Sequence, residues 1–248
     1  GWTQTYPAPG GGGGGGGNSA TAGIGSRHDV PVLLPVTTTA STAPIYLAGE
    51  LLSSSPGLGQ SPRTNVSSPL INLPQFRADS RFAGIDGSGF ASVIIDTGID
   101  LNHPHFGPDS DSNGVADRIV YSWDFADNDS DASDVNGHGS NVASIVASQN
   151  ATFGGMAPAA DIIALKVFPN AGSGGSFGDV EDALQWVIAN AATFNIVSVN
   201  MSLGDSANYT SSVSLYGLGD ELAALAAMNV IVVSSAGTTN TGAVDPLD

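Results

Sequence analysis

From about Ser88 onward the chain alternates short apolar runs with helix-length segments, and this alternation limits the fold more than any other feature. The runs FASVIID (90–96), RIVYSWDF (118–125), DIIALKVF (161–168), IVSVNMS (196–202) and VIVVSSAG (230–237) are rich in β-branched residues and bounded by Gly, Asp or Asn. That composition suits strands buried on both faces. Between them, GDVEDALQWVIANAATF places Val180, Leu184, Val187, Ile188 and Ala191 on one helical face, and SLYGLGDELAALAAM does so with Leu215, Leu218, Leu222, Leu225 and Ala226. Strands and helices in alternation predict an α/β fold, a doubly wound, mostly parallel sheet with helices on both faces. Sites in such sheets lie at the carboxyl ends of the strands.

Composition divides the chain near residue 75. Residues 1–75 carry a glycine tract (Gly10 to Gly17) and Ser/Thr/Pro-rich stretches, which predict a flexible segment, either a linker or a propeptide remnant. APIYLAGELL (43–52) is its one plausible structured island. Residues 76–248 form the globular unit. With 23 acidic side chains against 6 basic ones, the chain repels nucleic acid and anionic membrane surfaces, so neither is an expected partner. Cysteine is absent, which removes disulfides, thiolate metal sites and cysteine nucleophiles together. LAALAAMNVIVV is too short to cross a bilayer and is interrupted by Asn229.

Two polar residues stand where chemistry is expected. Asp96 ends IIDTGID and leaves the sheet at its carboxyl edge, where it could cap a helix, bind a metal or orient a histidine. His138 sits between Gly137 and Gly139 at the start of the helical run SNVASIVAS. The helix dipole there disfavours an imidazolium, whereas a nearby carboxylate stabilises it once a proton arrives. Asp96 and His138 therefore make sense together.

In order, DTGID with HPHF, NGHGSNVASIVA, MAPAADIIALKVF, NMSLG and VIVVSSAG resemble the motif series of the subtilisin-like (S8 family) serine peptidases, from about Ile71 to Gly237. The resemblance implies a serine endopeptidase working by an Asp-His-Ser triad, with Asp96 the orienting carboxylate and His138 the general base. It also implies that Ser202, Leu203 and Gly204 form the strand that pairs with substrate, with SGGSFG, including Gly174 and Gly175, across the cleft. An extended peptide or protein substrate would bind there as an added strand. Secretion, and a monomer when complete, are further expectations.

Two departures from the family pattern matter. The family's nucleophilic serine lies in a Gly-Thr-Ser motif, and no such triplet occurs in the sequence. The expectation is a domain cut before its serine, inactive alone, its sheet incompletely covered. At the oxyanion position the family's asparagine is replaced by Thr238, with Asn240 two residues later. The stretch GGSFG fits a nucleophile elbow, but no histidine follows His138, as that chemistry requires. Ser140 reads as a helix-start residue.

Calcium is the one expected cofactor. Asp109, Asp111, Asn113 and Asp117 occupy relative positions one, three, five and nine of a calcium loop, with Gly114 at six, but Val120 stands where a bidentate glutamate belongs. A partial calcium loop and a solvated acidic turn both fit. Asp124 to Asp134 crowd further carboxylates whose repulsion a cation would relieve. His103 and His105 lack a third zinc ligand and read as turn packing. The rival to an enzyme is a non-catalytic peptide- or calcium-binding module on the same fold. A nucleotide-binding domain is disfavoured, because no G-x-G-x-x-G follows the first run.

Overall fold

The computed structural model describes residues 41–47, 64–171, 174–205 and 216–235. Five strands, β2 (Ala91–Asp96), β3 (Ile119–Asp124), β4 (Asp161–Lys166), β6 (Ile196–Met201) and β8 (Ile231–Ser234), form one parallel sheet in the order β3-β4-β2-β6-β8. Each lies within one of the five apolar runs. Four of the runs extend past their strands by one or two residues, and the last reaches beyond the described residues.

Alternate residues of the central strands face opposite layers. Val93, Ile95, Ile163 and Leu165 join a cluster with Val180, Leu184 and Val187 of helix α4 (Phe177–Phe194). Ile94, Ile162 and Ala164 join Ala143 and Ala147 of helix α3 (His138–Ala147) on the other side. Each fully buried aliphatic side chain contributes about 1.5–3 kcal/mol relative to exposure, and both faces of the sheet are occupied. Helix α5 (Gly219–Ala227) packs on α4 and β8 through Leu225, whereas Leu222 of its expected apolar face is exposed. Helix α4 starts in a capping box, where Ser176 and Asp179 satisfy each other's backbone amides.

Two short helices, α1 (Thr64–Leu70) and α2 (Leu73–Ala78), precede the sheet. Arg77 of α2 donates to the Gly155 carbonyl at 2.7 Å and so holds this segment on the loop after α3. A second, antiparallel sheet consists of β1 (Pro44–Leu47) between β5 (Gly175–Ser176) and β7 (Leu203–Gly204). At the β8 edge Ile231 and Val233 are exposed. Among the described residues no helix is long and apolar enough to cross a membrane.

Candidate active site

The carboxyl end of β2 delivers Asp96 into a fully buried position. Its Oδ1 accepts the Thr97 amide at 2.8 Å and lies 2.7 Å from Nδ1 of His138, the first residue of α3. With Asp96 ionised, Nδ1–H is the donor, which fixes the neutral tautomer that leaves Nε2 as the basic nitrogen. Two glycines make the approach possible. Gly98 has φ of 103°, and a Cβ on it would collide with the Ala132 carbonyl. A Cβ on Gly139 would collide with the Gly98 carbonyl and reach 3.2 Å from Asp96 Oδ1.

Thr97 and Asp134 lock this junction. Thr97 Oγ1 accepts the Gly139 amide at 2.9 Å and donates to Asp134 Oδ1 at 2.9 Å. Asp134 Oδ2 accepts both the amide and the hydroxyl of Ser140, at 2.9 and 2.6 Å. The Ser140 hydroxyl in turn accepts the Asp100 amide, so this serine holds the helix start and is bonded away from His138.

The stretches assigned to the cleft walls form β5 and β7, and between them lies β1. Its register is Pro44 with Ser176 and Ile45 with Gly175 on one side, Tyr46 with Gly204 and Leu47 with Leu203 on the other. The α4 start adds two bonds, from the Phe177 amide to the Ala43 carbonyl at 2.9 Å and from the Gly178 amide to the Ser41 carbonyl at 2.7 Å. Ile45 is fully buried in the cluster that holds Val167, Phe177 and Leu203. Gly175 has no room for a side chain, since a Cβ would strike the Val167 carbonyl and the Ile45 Cδ1. Gly174, at φ 88°, lies against the Ile45 carbonyl. Ser202 lies between β6 and β7, its hydroxyl accepting from Asn200 at 2.9 Å.

Sequence reasoning marked 43–52 as a structured island but gave neither its conformation nor its partners, because nothing local in APIYL specifies which strands it joins. It also passed over Thr97 and Lys166, and took Asp134 only as one of a crowd of carboxylates. A hydroxyl after a strand-end aspartate was a usable signal, whereas the other two depend on long-range packing.

Thr238 and Asn240 lie outside the described residues. Asp109, Asp111 and Asp117 each offer a carboxylate oxygen within 4.8 Å of the others. The loop also uses these groups itself. Asp109 accepts the amides of Asn113 and Gly114 at 3.0 Å, and Asn113 Oδ1 accepts the Val115 amide at 2.8 Å. Bonds from Ser110 hold the Asp117 carboxyl below its ordinary range. An all-oxygen, mostly anionic donor set fits calcium. His103 caps a short 3-10 turn, its Nδ1 accepting the His105 amide, and the two rings meet edge to face.

Residues 87–246 match the family model described as the Subtilase family. Alkaline serine exoprotease A of Vibrio alginolyticus is 34% identical over 143 residues, covering 57% of this chain and 24% of that protein. Thermitase of Thermoactinomyces vulgaris is 36% identical over 124 residues, covering 49% and 41%. Among solved structures, the CspB protease of Clostridium perfringens is similar in fold, with a TM-score of 0.52 at 21% identity over 65% of this chain and 38% of that one. The chain thus matches these relatives over less than half of their length.

Proposed function

Since the chain belongs to the subtilase family, we propose that it supplies the acid–base half of a serine endopeptidase acting on extended peptides. The observation that carries this reading is the 2.7 Å contact between a fully buried Asp96 carboxylate and His138 Nδ1. In the proposed reaction His138 Nε2 takes the proton of a serine hydroxyl as it attacks the peptide carbonyl, then returns it to the leaving amine. Asp96 holds the tautomer and stabilises the imidazolium. The serine comes from a continuation beyond residue 248, because the sequence holds no Gly-Thr-Ser. Residues 1–248 alone are therefore inactive, and Thr238 takes the oxyanion position.

Strand β1 supports the assignment of Ser202, Leu203, Gly204, Gly174 and Gly175 to the substrate cleft, because it pairs with both walls as an added strand would. In this reading residues 1–75 are a tether or propeptide remnant, residues 76–248 are part of the peptidase domain, and the protein is secreted and monomeric. Asp109, Asp111 and Asp117, with Asn113 and the Val115 carbonyl, would hold calcium, which would neutralise their mutual repulsion and brace the loop.

The test is labelling by a serine-directed phosphonate of the chain together with its natural continuation. Labelling that disappears in His138→Ala is expected, with none on residues 1–248 alone. Labelling indifferent to His138→Ala, or a continuation without Gly-Thr-Ser, would overturn the proposal. Peptide binding without chemistry is the second reading, favoured by the bound state of β1. It would give a continuation that binds extended peptides and is never labelled.

A further inference from the structure

Strand β4 ends on a lysine removed from solvent. Lys166 is fully buried, although an ammonium is among the most costly groups to bury without compensation. The parallel register sets it beside Asp96 on one side and Asp124 on the other, and both of these carboxylates are fully buried as well. Three adjacent strands thus end in charged residues at the carboxyl edge of the sheet, in the order negative, positive, negative. The Lys166 ammonium donates a 2.7 Å hydrogen bond to the carbonyl of Thr97.

That carbonyl belongs to a residue bonded at its amide, its hydroxyl and its carbonyl alike. The Thr97 amide donates to Asp96 Oδ1, while its hydroxyl joins Gly139 of α3 to Asp134. The Lys166 bond is the tie from β4. The carbonyl and the amide of Thr97 lie in successive peptide planes: the Lys166 bond fixes the Thr97–Gly98 plane, the amide of Val167, just past β4, fixes the Asp96 carbonyl and hence the Asp96–Thr97 plane, and together they set the residue whose hydroxyl holds the first turn of α3. We infer that Lys166 is a positioning residue for the Asp96–His138 pair, holding the Thr97 peptide on which both partners depend and supplying the positive charge that balances the carboxylates around His138. The inference rests on the reading of that pair as orienting acid and base.

The charge has a direction. His138 is bonded to Asp96 of β2; Asp134, from the segment before α3, accepts the amides of Gly137 and Ser140 on either side of it, Lys166 and Asp124 end the strands next to Asp96, and the Asp100 amide bonds to Ser140. Removing the ammonium leaves the carboxylates uncompensated and favours the imidazolium, so His138 would keep its proton to higher pH and the free base would be scarcer near neutrality. A lysine that merely filled space would have no such effect.

The measurement is a pH titration of His138 by NMR in the histidine-labelled 248-residue chain, which needs no hydrolysis. Lys166→Met removes donor and charge, Lys166→Gln removes the charge and keeps a donor on a side chain one atom shorter, and Lys166→Arg retains both. Met and Gln are each expected to raise the His138 pKa by about half a unit or more, with Arg close to the parent protein. If the Met variant does not fold, the Gln variant decides. A His138 pKa that stays in place or falls in the folded charge-free variants would overturn the inference, however far their melting temperatures drop. Should the titration move as expected while the phosphonate never labels the continued chain, Lys166 positions the pair and the peptidase reading fails. Labelling with an unmoved titration is the converse.

Discussion

The turn after β2 and the loop from Asp109 to Asp117 are both built from aspartates that accept backbone amides, yet they are held in different ways. At the first, the partners come from far along the chain: His138 and Gly139 reach Asp96 and Thr97 across 42 residues, and Lys166 reaches Thr97 across 69. At the second, among the described residues, the hydrogen bonds accepted by the carboxylates of Asp109, Asp111 and Asp117 span seven residues or fewer, and Asp111 and Asp117 are exposed. The first exists only when the fold does and is fixed by several elements at once. The second has carboxylates that are satisfied locally, and the fold holds the loop mainly through the buried Ala116 and its bond to Leu101. In the proposed function, the carboxylate assigned to chemistry thus differs from those of the turn by the distance of its partners along the chain.

The sharpest way to break this contrast is a methyl group. Gly139→Ala is expected to cost about 3 kcal/mol, because its Cβ meets the Gly98 carbonyl. Gly114→Ala in the acidic loop meets nothing within 4 Å and is expected to cost only about 1 kcal/mol, for its positive φ. Urea unfolding of the two variants gives both numbers, and equal losses would remove the distinction. Next in size is Thr97→Val, which leaves the Gly139 amide and Asp134 without their shared hydroxyl and is expected to lose about 2 kcal/mol in the same assay.

Opposite pH dependences should separate the two kinds of aspartate. Burial pushes the Asp124 carboxyl above its ordinary value. Its ionised form therefore opposes folding, and stability is lost as pH rises through the raised pKa. Asp117 is shifted the other way by its bonds from Ser110, so its contribution is present above the unfolded value and lost as pH falls through the lowered pKa. Asp124→Asn should thus be more stable than the parent at pH 7 and indistinguishable from it near pH 2, while Asp117→Asn should be less stable at pH 7 and likewise converge in acid. Unfolding curves at the two pH values check both signs. The smallest effect concerns calcium: adding the ion should raise the melting temperature by about 3 °C, and Asp109→Asn should abolish the rise. An unchanged melt of the parent chain would remove the metal from the account.

Much of the sheet could be read from the sequence, because a strand buried on both faces must be apolar at successive positions, and each of the five β-branched runs contains one strand. Helix α4 was equally plain, since Val180, Leu184 and Val187 recur at helical spacing and all three are buried. In α5 the same pattern was less reliable: Leu225 is buried and Leu222 exposed. Asp96 and His138 could be paired because each sits at the end of a recognisable element. The placement of β1 was not legible, since its hydrogen bonds run to backbone atoms of residues more than a hundred positions away, whose side chains encode no complementarity. Lys166 was hidden for another reason. Within DIIALKVF nothing marks it as standing between two carboxylates, and only the register of three strands places it there.

The central claim is that the buried Asp96 carboxylate holds His138 in one neutral tautomer. Nitrogen-15 NMR of the histidine-labelled chain, above the His138 pKa, reads this directly. The account requires the proton on Nδ1, with Nε2 carrying the shift of a bare, basic nitrogen, and loss of that preference in Asp96→Ala. A proton on Nε2 in the parent protein, or a tautomer unchanged by Asp96→Ala, would contradict it.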